Sequence, residues 1–172
     1  MTDPLIPRPI PTLESLATRV GDALMRRGEQ LALAESCTGG GVAMAMTAIA
    51  GSSRWFERGF VTYSNAAKQE MLGVSPDTIE QHGAVSQATV LEMAAGALDH
   101  SHADWALAIS GIAGPDGGSI DKPVGTVWLA WAGPHGFRRS QQHVFAGDRH
   151  AVREQAVRAA IEGLLDALNN CI

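Results

Sequence analysis

Ser36, Cys37, Tyr63, Lys68 and Ser110 are the side chains of this sequence whose types and settings can do covalent chemistry. Ser36 and Cys37 stand side by side in LALAESCTGGG, residues 31–41, where an apolar run meets a glycine-rich turn. A serine is a weak nucleophile at neutral pH and needs a base. The histidines are badly placed for that role, so a Ser-His-Asp triad has little support. Lys68 is a better candidate: a lysine ordinarily titrates at about 10.4, and burial or nearby positive charge can lower this by several units. With Tyr63 relaying the proton or orienting the amine, Ser36 and Lys68 make an acyl-transfer constellation. The plain alternative is a surface lysine on a helix and a tyrosine in the core. Cys37 is a rival nucleophile, because a helix start lowers a thiol's pKa. A small buried hydrophobe is the favoured reading for it, cysteine being among the most buried residue types.

The same turn can hold an anion. A helix start leaves backbone N–H groups without partners, and the glycines after Thr38 let the backbone approach a ligand closely. The loop after Ser110, GIAGPDGGSIDKP, can bind phosphate through its amides, although it lacks the order of a P-loop. Lys122 and Arg149 can add charge. Arg149 falls at a helix start, where the macrodipole disfavours a cation unless a ligand or an acidic partner such as Asp148 compensates. Six histidines are scattered without metal-ligand spacing, so no metal is expected.

These residues need elements to position them. Thr12 is placed to cap a first helix carrying Leu13, Leu16, Ala17, Val20 and Leu24, with Gly28 just past its end. Residues 31–35 read as a strand. Residues 40–49 read as a helix, closed by Gly51 and apolar nearly all round, which predicts burial in the fold or at an interface. Residues 60–63 read as a second strand, with Ser64 or Asn65 capping the helix AAKQEML and Gly73 ending it. A short helix or turn, SPDTIEQHG, a helix over 87–98 and a strand over 104–110 follow. Residues 125–132 and 137–145 flank Gly133-Pro134-His135-Gly136 as a β-hairpin, with Trp128 and Trp131 on opposite faces of its first strand. Asp148 caps a last amphipathic helix. Strands alternating with helices, plus one hairpin, predict a three-layer α/β/α sandwich with a mixed sheet. Strand ends on one sheet edge share a cleft in such folds. Ser36 to Thr38, Tyr63 to Lys68 and Ser110 to Gly118 are therefore expected to converge.

The 172 residues read as a proline-rich leader, 1–11, and a single domain, 12–170. Net charge is −5, from 13 basic and 18 acidic residues, and there is no run of Lys or Arg. That argues against nucleic-acid binding, which needs a basic footprint. No segment is long and apolar enough to span a bilayer, and the first residues lack a secretory pattern. Two cysteines, Cys37 and Cys171, fit a reducing compartment. The expectation is a cytoplasmic protein with neither nucleic-acid nor membrane partners.

Several separated segments, in order, then resemble one family: AESCTGG, GSSRWFERGFVTYSNAAKQEMLGV, HGAVSQATVLEMAAGA, SGIAGPDGG, KPVGTVWLAW and FAGDRHAVREQAV. The chain resembles a stand-alone CinA C-terminal-domain protein, a nicotinamide-nucleotide amidohydrolase, from about the first helix to the last. The resemblance implies hydrolysis of the carboxamide of nicotinamide mononucleotide to nicotinic acid mononucleotide and ammonia. It implies no metal or organic cofactor, a pyridine-nucleotide substrate and a homo-oligomer, a dimer. By position, Ser36 matches the family's nucleophile, Lys68 the lysine proposed to activate it, Tyr63 the tyrosine beside them, and Arg149 an arginine of the site. Ser110 stands where the family usually has threonine, and keeps the hydroxyl. Thr38, Gly39, Gly40, Ser110, Gly111, Gly114 and Arg149 form the substrate-binding set on this reading. Two readings from other classes stay open. One is a non-catalytic pyridine-nucleotide-binding or regulatory module with the same pocket; the other is a partner scaffold built on the apolar helix after Gly41.

Overall fold

Alternation within the strands decides the architecture. In LALAE, WALAISG and TVWLAWA, large side chains take one face of the sheet and mostly alanines the other. The computed structural model describes residues 10–170; most of the proline-rich leader and Cys171 lie outside the described residues. Five strands, β1 (Leu31–Glu35), β2 (Phe56–Val61), β3 (Trp105–Gly111), β4 (Thr126–Ala132) and β5 (Arg138–Val144), form one sheet in the order β2-β1-β3-β4-β5 among the described residues. β1 runs parallel to β2 and β3, while β4 and β5 add antiparallel as a hairpin. Helices α1 (Leu13–Arg27), α2 (Gly41–Thr47) and α6 (Arg149–Asn170) pack on the large-residue face against Leu31, Leu33, Trp105, Leu107, Ile109, Leu129 and Trp131. Helices α3 (Asn65–Leu72), α4 (Pro76–His82) and α5 (Gln87–Asp99) belong to the other layer, on Ala32, Ala34, Ala106, Ala108, Ala130 and Ala132. This is the expected three-layer α/β/α sandwich with a mixed sheet.

The caps follow from local chemistry. Thr12 Oγ1 accepts from Ser15 N at 3.1 Å, and Gly28 closes α1 in the left-handed conformation. Ser64, not Asn65, caps α3, accepting from Ala67 N at 3.0 Å. Asp148 Oδ1 accepts from Ala151 N at 2.9 Å at the start of α6. No helix among the described residues is long and apolar enough to cross a membrane.

Two elements differ from the sequence reading. The second strand runs over 56–61, not 60–63, because pairing with β1 holds Arg58 to Val61 against Ala32 to Glu35 and leaves Tyr63 beyond the strand. Helix α2 is shorter than expected and only half buried: Val42 and Met46 face the core, while Met44 is 73% exposed. An all-apolar pattern cannot say which side of a helix lies against the sheet.

Candidate active site

Because β1, β2 and β3 are parallel neighbours, their carboxyl ends open on the same sheet edge. The antiparallel β4 begins there as well. At this edge lies a cleft of about 280 Å³. Ser36 and Cys37 enter it from the end of β1, Tyr63, Asn65 and Lys68 from the end of β2 and the first turn of α3. Ser110, Gly111 and Gly114 come from the end of β3, and Arg149 from the start of α6. The three strand ends singled out in the sequence therefore meet in one place.

Lys68 is 1% exposed, so it is not the surface lysine of the plain reading. Its Nζ lies 3.0 Å from Ser36 Oγ and donates to the Thr62 carbonyl at 2.8 Å. No carboxylate partners it among the described residues, and burial pushes its pKa below the ordinary lysine value. A neutral amine that donates to Thr62 O has its lone pair left for the Ser36 hydroxyl proton. That is the arrangement a general base needs.

Tyr63 does not bridge Ser36 and Lys68. It is 60% exposed, and its Oη accepts from Arg149 Nη2 at 2.9 Å. Arg149 Nη1 also donates to the Gly114 carbonyl at 2.8 Å, so one guanidinium ties the loop after β3 to the segment after β2 across the cleft mouth. Asp148, the acidic partner considered for Arg149, instead caps the helix. Gly114 itself needs to be glycine: its φ is +81°, and a Cβ would press on Val124. Ser110 is 1% exposed and donates to the Ala84 carbonyl at 2.7 Å, tying the α4–α5 loop to the cleft wall. A threonine hydroxyl could make the same bond.

Cys37 lines the cleft but is 6% exposed, and burial raises its thiol pKa to about 11. It remains a thiol at neutral pH, which fits the bland reading and not the nucleophile. The Thr38 side chain, Gly39 and Gly40 do not line the cleft; the Thr38 hydroxyl turns to Glu35 instead. Their turn is organised by Glu35, a residue the sequence reading passed over as the end of a strand. Its carboxylate, 1% exposed, accepts from Thr38 Oγ1 at 2.6 Å and from the amides of Gly40, Val42 and Ala43 at 3.2, 3.1 and 2.9 Å. The start of α2 is thus already occupied by an internal anion and does not serve an external one. A carboxylate closing an apolar strand was the available signal, since a buried charge must find donors.

The remaining amides can be counted. Ser36 N donates to Ile109 O, Gly39 N to Ser36 O and Gly41 N to Thr38 O. Among the described residues, the N–H groups of Cys37 and Thr38 donate to no other residue. They directly follow Ser36, the candidate nucleophile, where an oxyanion would need donors.

The CinA C-terminal domain family profile matches residues 13–168. Over 152 residues, 88% of this chain and 92% of the relative, the chain is 58% identical to the nicotinamide-nucleotide amidohydrolase PncC of Escherichia coli (strain K12). It is 56% identical over 154 residues to the nicotinamide-nucleotide amidohydrolase PncC of Pseudomonas putida, covering 89% of this chain and 95% of that one. The crystal structure of a competence/damage inducible protein from Agrobacterium tumefaciens superposes with a TM-score of 0.89 at 46% identity, covering 95% of this chain and all of that one.

Proposed function

The chain belongs to the CinA C-terminal-domain family, and on that footing we propose that it hydrolyses the carboxamide of nicotinamide mononucleotide to nicotinic acid mononucleotide and ammonia. The observation that carries the reading is the buried contact of 3.0 Å between Lys68 Nζ and Ser36 Oγ. Neutral Lys68 takes the Ser36 proton as Oγ attacks the amide carbon. The Cys37 and Thr38 amides receive the oxyanion. As the tetrahedral intermediate collapses, the C–N bond breaks, Lys68 returns the proton to nitrogen, and ammonia leaves an acyl ester on Ser36. Water, losing a proton to Lys68, attacks that ester; the carboxylate departs and Ser36 regains its proton.

Arg149, with no carboxylate partner among the described residues, balances the phosphate at the cleft mouth, while Tyr63 holds the guanidinium there. The unit assigned to this reaction is residues 12–170, acting in the cytoplasm as a homodimer.

Ammonia release from nicotinamide mononucleotide, with Ser36→Ala run alongside, tests the reading. Wild-type protein is expected to release ammonia. Ser36→Ala is expected to release none while losing only about 1 kcal/mol of stability, the scale of one hydrogen bond. Release by both proteins would remove Ser36 from the chemistry. No release by either, with the nucleotide still raising the melting temperature, would support a binding module instead.

A further inference from the structure

We propose that Arg153 is a positioning residue for the oxyanion donors, holding the peptide after Cys37 so that the Thr38 N–H is turned toward the reacting carbonyl. The inference rests on the proposed amide hydrolysis and concerns a residue that does not itself line the cleft. Arg153 lies one helical turn beyond Arg149, on the same face of α6. Where Arg149 crosses the cleft mouth, Arg153 reaches behind the nucleophile turn. Its Nε donates to the Cys37 carbonyl at 3.1 Å and its Nη2 to the Thr38 carbonyl at 3.1 Å.

A trans peptide points its C=O and N–H in opposite directions, and the cis peptide among the described residues is Gly114–Pro115, outside the turn. Fixing Cys37 O on Arg153 therefore turns Thr38 N–H away from the guanidinium. The preceding peptide is pinned in the same way: Gly39 N holds Ser36 O, which sends Cys37 N–H opposite. Two consecutive N–H groups beside Ser36 are thus left over because the carbonyls of their own peptides are engaged, one by the backbone and one by Arg153. Glu35 secures the far end of the turn through Gly40, Val42 and Ala43. A cationic donor on a carbonyl also polarises that amide and makes its N–H a stronger donor when charge develops on the substrate.

The test is Arg153→Met, which keeps the length of the side chain and removes both donors, and Arg153→Lys, which keeps the charge but not the two-pronged grip. Two readouts run on each protein. One is kcat and KM for ammonia release across pH. The other is the rate at which a fluorophosphonate phosphonylates Ser36, forming the Oγ–P bond and expelling fluoride, a reaction that uses the same serine and amides without the nucleotide. Losing an oxyanion donor outright typically costs about 10²–10³ in rate, so losing its support is expected to cost about 10- to 100-fold in kcat for Arg153→Met. KM and the pH at which kcat rises should stay put, phosphonylation should slow in parallel, and Arg153→Lys should recover part of the loss. Wild-type kcat in Arg153→Met, a rise in KM alone, or a moved pH midpoint would each overturn the inference. If Arg153→Met does not fold, Arg153→Lys decides: a several-fold drop in kcat supports the role and an unchanged kcat removes it. Should wild type be phosphonylated but release no ammonia, the proposed reaction falls, and the phosphonylation rates still decide the role of Arg153. Wild type inert in both readouts would sink the two together.

Discussion

At the scale of the residue, the contrast between Lys68 and Cys37 shows how burial sorts two candidate groups. Both are removed from water at the same cleft, and burial disfavours the charged form of each. For a thiol that form is the nucleophile, so Cys37 is disarmed. For an amine the favoured neutral form is the base, which is the form the proposed role of Lys68 requires. The rate should therefore rise with pH through the lowered pKa of Lys68, as neutral amine accumulates. The stability consequence has the same sign. Between the folded pKa and the ordinary lysine value of 10.5, the unfolded chain binds more protons, so stability rises with pH across that window. Lys68→Met should lose about 10²–10⁴-fold in kcat, the usual worth of a general base, and should also lose that upward slope. Melting temperatures of both proteins measured over the window decide it; equal slopes would mean that Lys68 is not the strained group.

At the scale of the element, the turn between β1 and α2 is built from inside. Glu35 ends a strand whose residues are all buried, so its carboxylate must find donors within the fold, and it takes those at the start of α2. A seven-residue helix with a glycine N-cap and no side-chain cap of its own gains its termination from that carboxylate. Glu35→Gln preserves the shape but turns an –NH₂ group against amide donors. We expect it to lose at least about 2 kcal/mol, the scale of one charge-assisted hydrogen bond, read as a lower urea midpoint. Ammonia release should fall with it, because the same turn carries the Cys37 and Thr38 amides. An unchanged midpoint would show that α2 holds its start without the carboxylate.

At the scale of the whole molecule, the alanine face of the sheet determines how closely the second helical layer can approach. Gly96 of α5 comes so near to the end of α3 that a Cβ there would overlap the Leu72 carbonyl oxygen. Leu72 closes the helix that carries Lys68, so this contact helps set the distance between Lys68 and Ser36. Gly96→Ala gains about 1 kcal/mol of helix propensity, against about 3 kcal/mol at the upper end of overpacking costs, since a backbone oxygen cannot rotate aside. A net loss of about 2 kcal/mol is expected by denaturant unfolding, with a lower kcat as α3 is displaced. A stabilised variant of full activity would mean that the two helices part without moving the lysine.

Much of this organisation was legible in one dimension. Caps such as Thr12, Ser64 and Asp148 act over three residues, so they are readable from local order. The alternation of Leu and Ala in β1 and β3 likewise declares a sheet covered on both faces. Order along the chain was also enough to bring Ser36, Lys68 and Ser110 to one edge, because parallel strands share their carboxyl ends; Arg149 was expected there from the family resemblance alone. What local order could not supply was direction and partner choice. The exposed side of α2, the tie of Tyr63 to Arg149 in place of Lys68, the absence of the Thr38 side chain, Gly39 and Gly40 from the cleft lining, and the grip of Arg153 on the turn all depend on how the elements pack. Such contacts are selected only when three layers pack together. The protonation preference of Lys68 belongs with them, because a lysine's pKa is a property of the space around it and not of its place in the sequence.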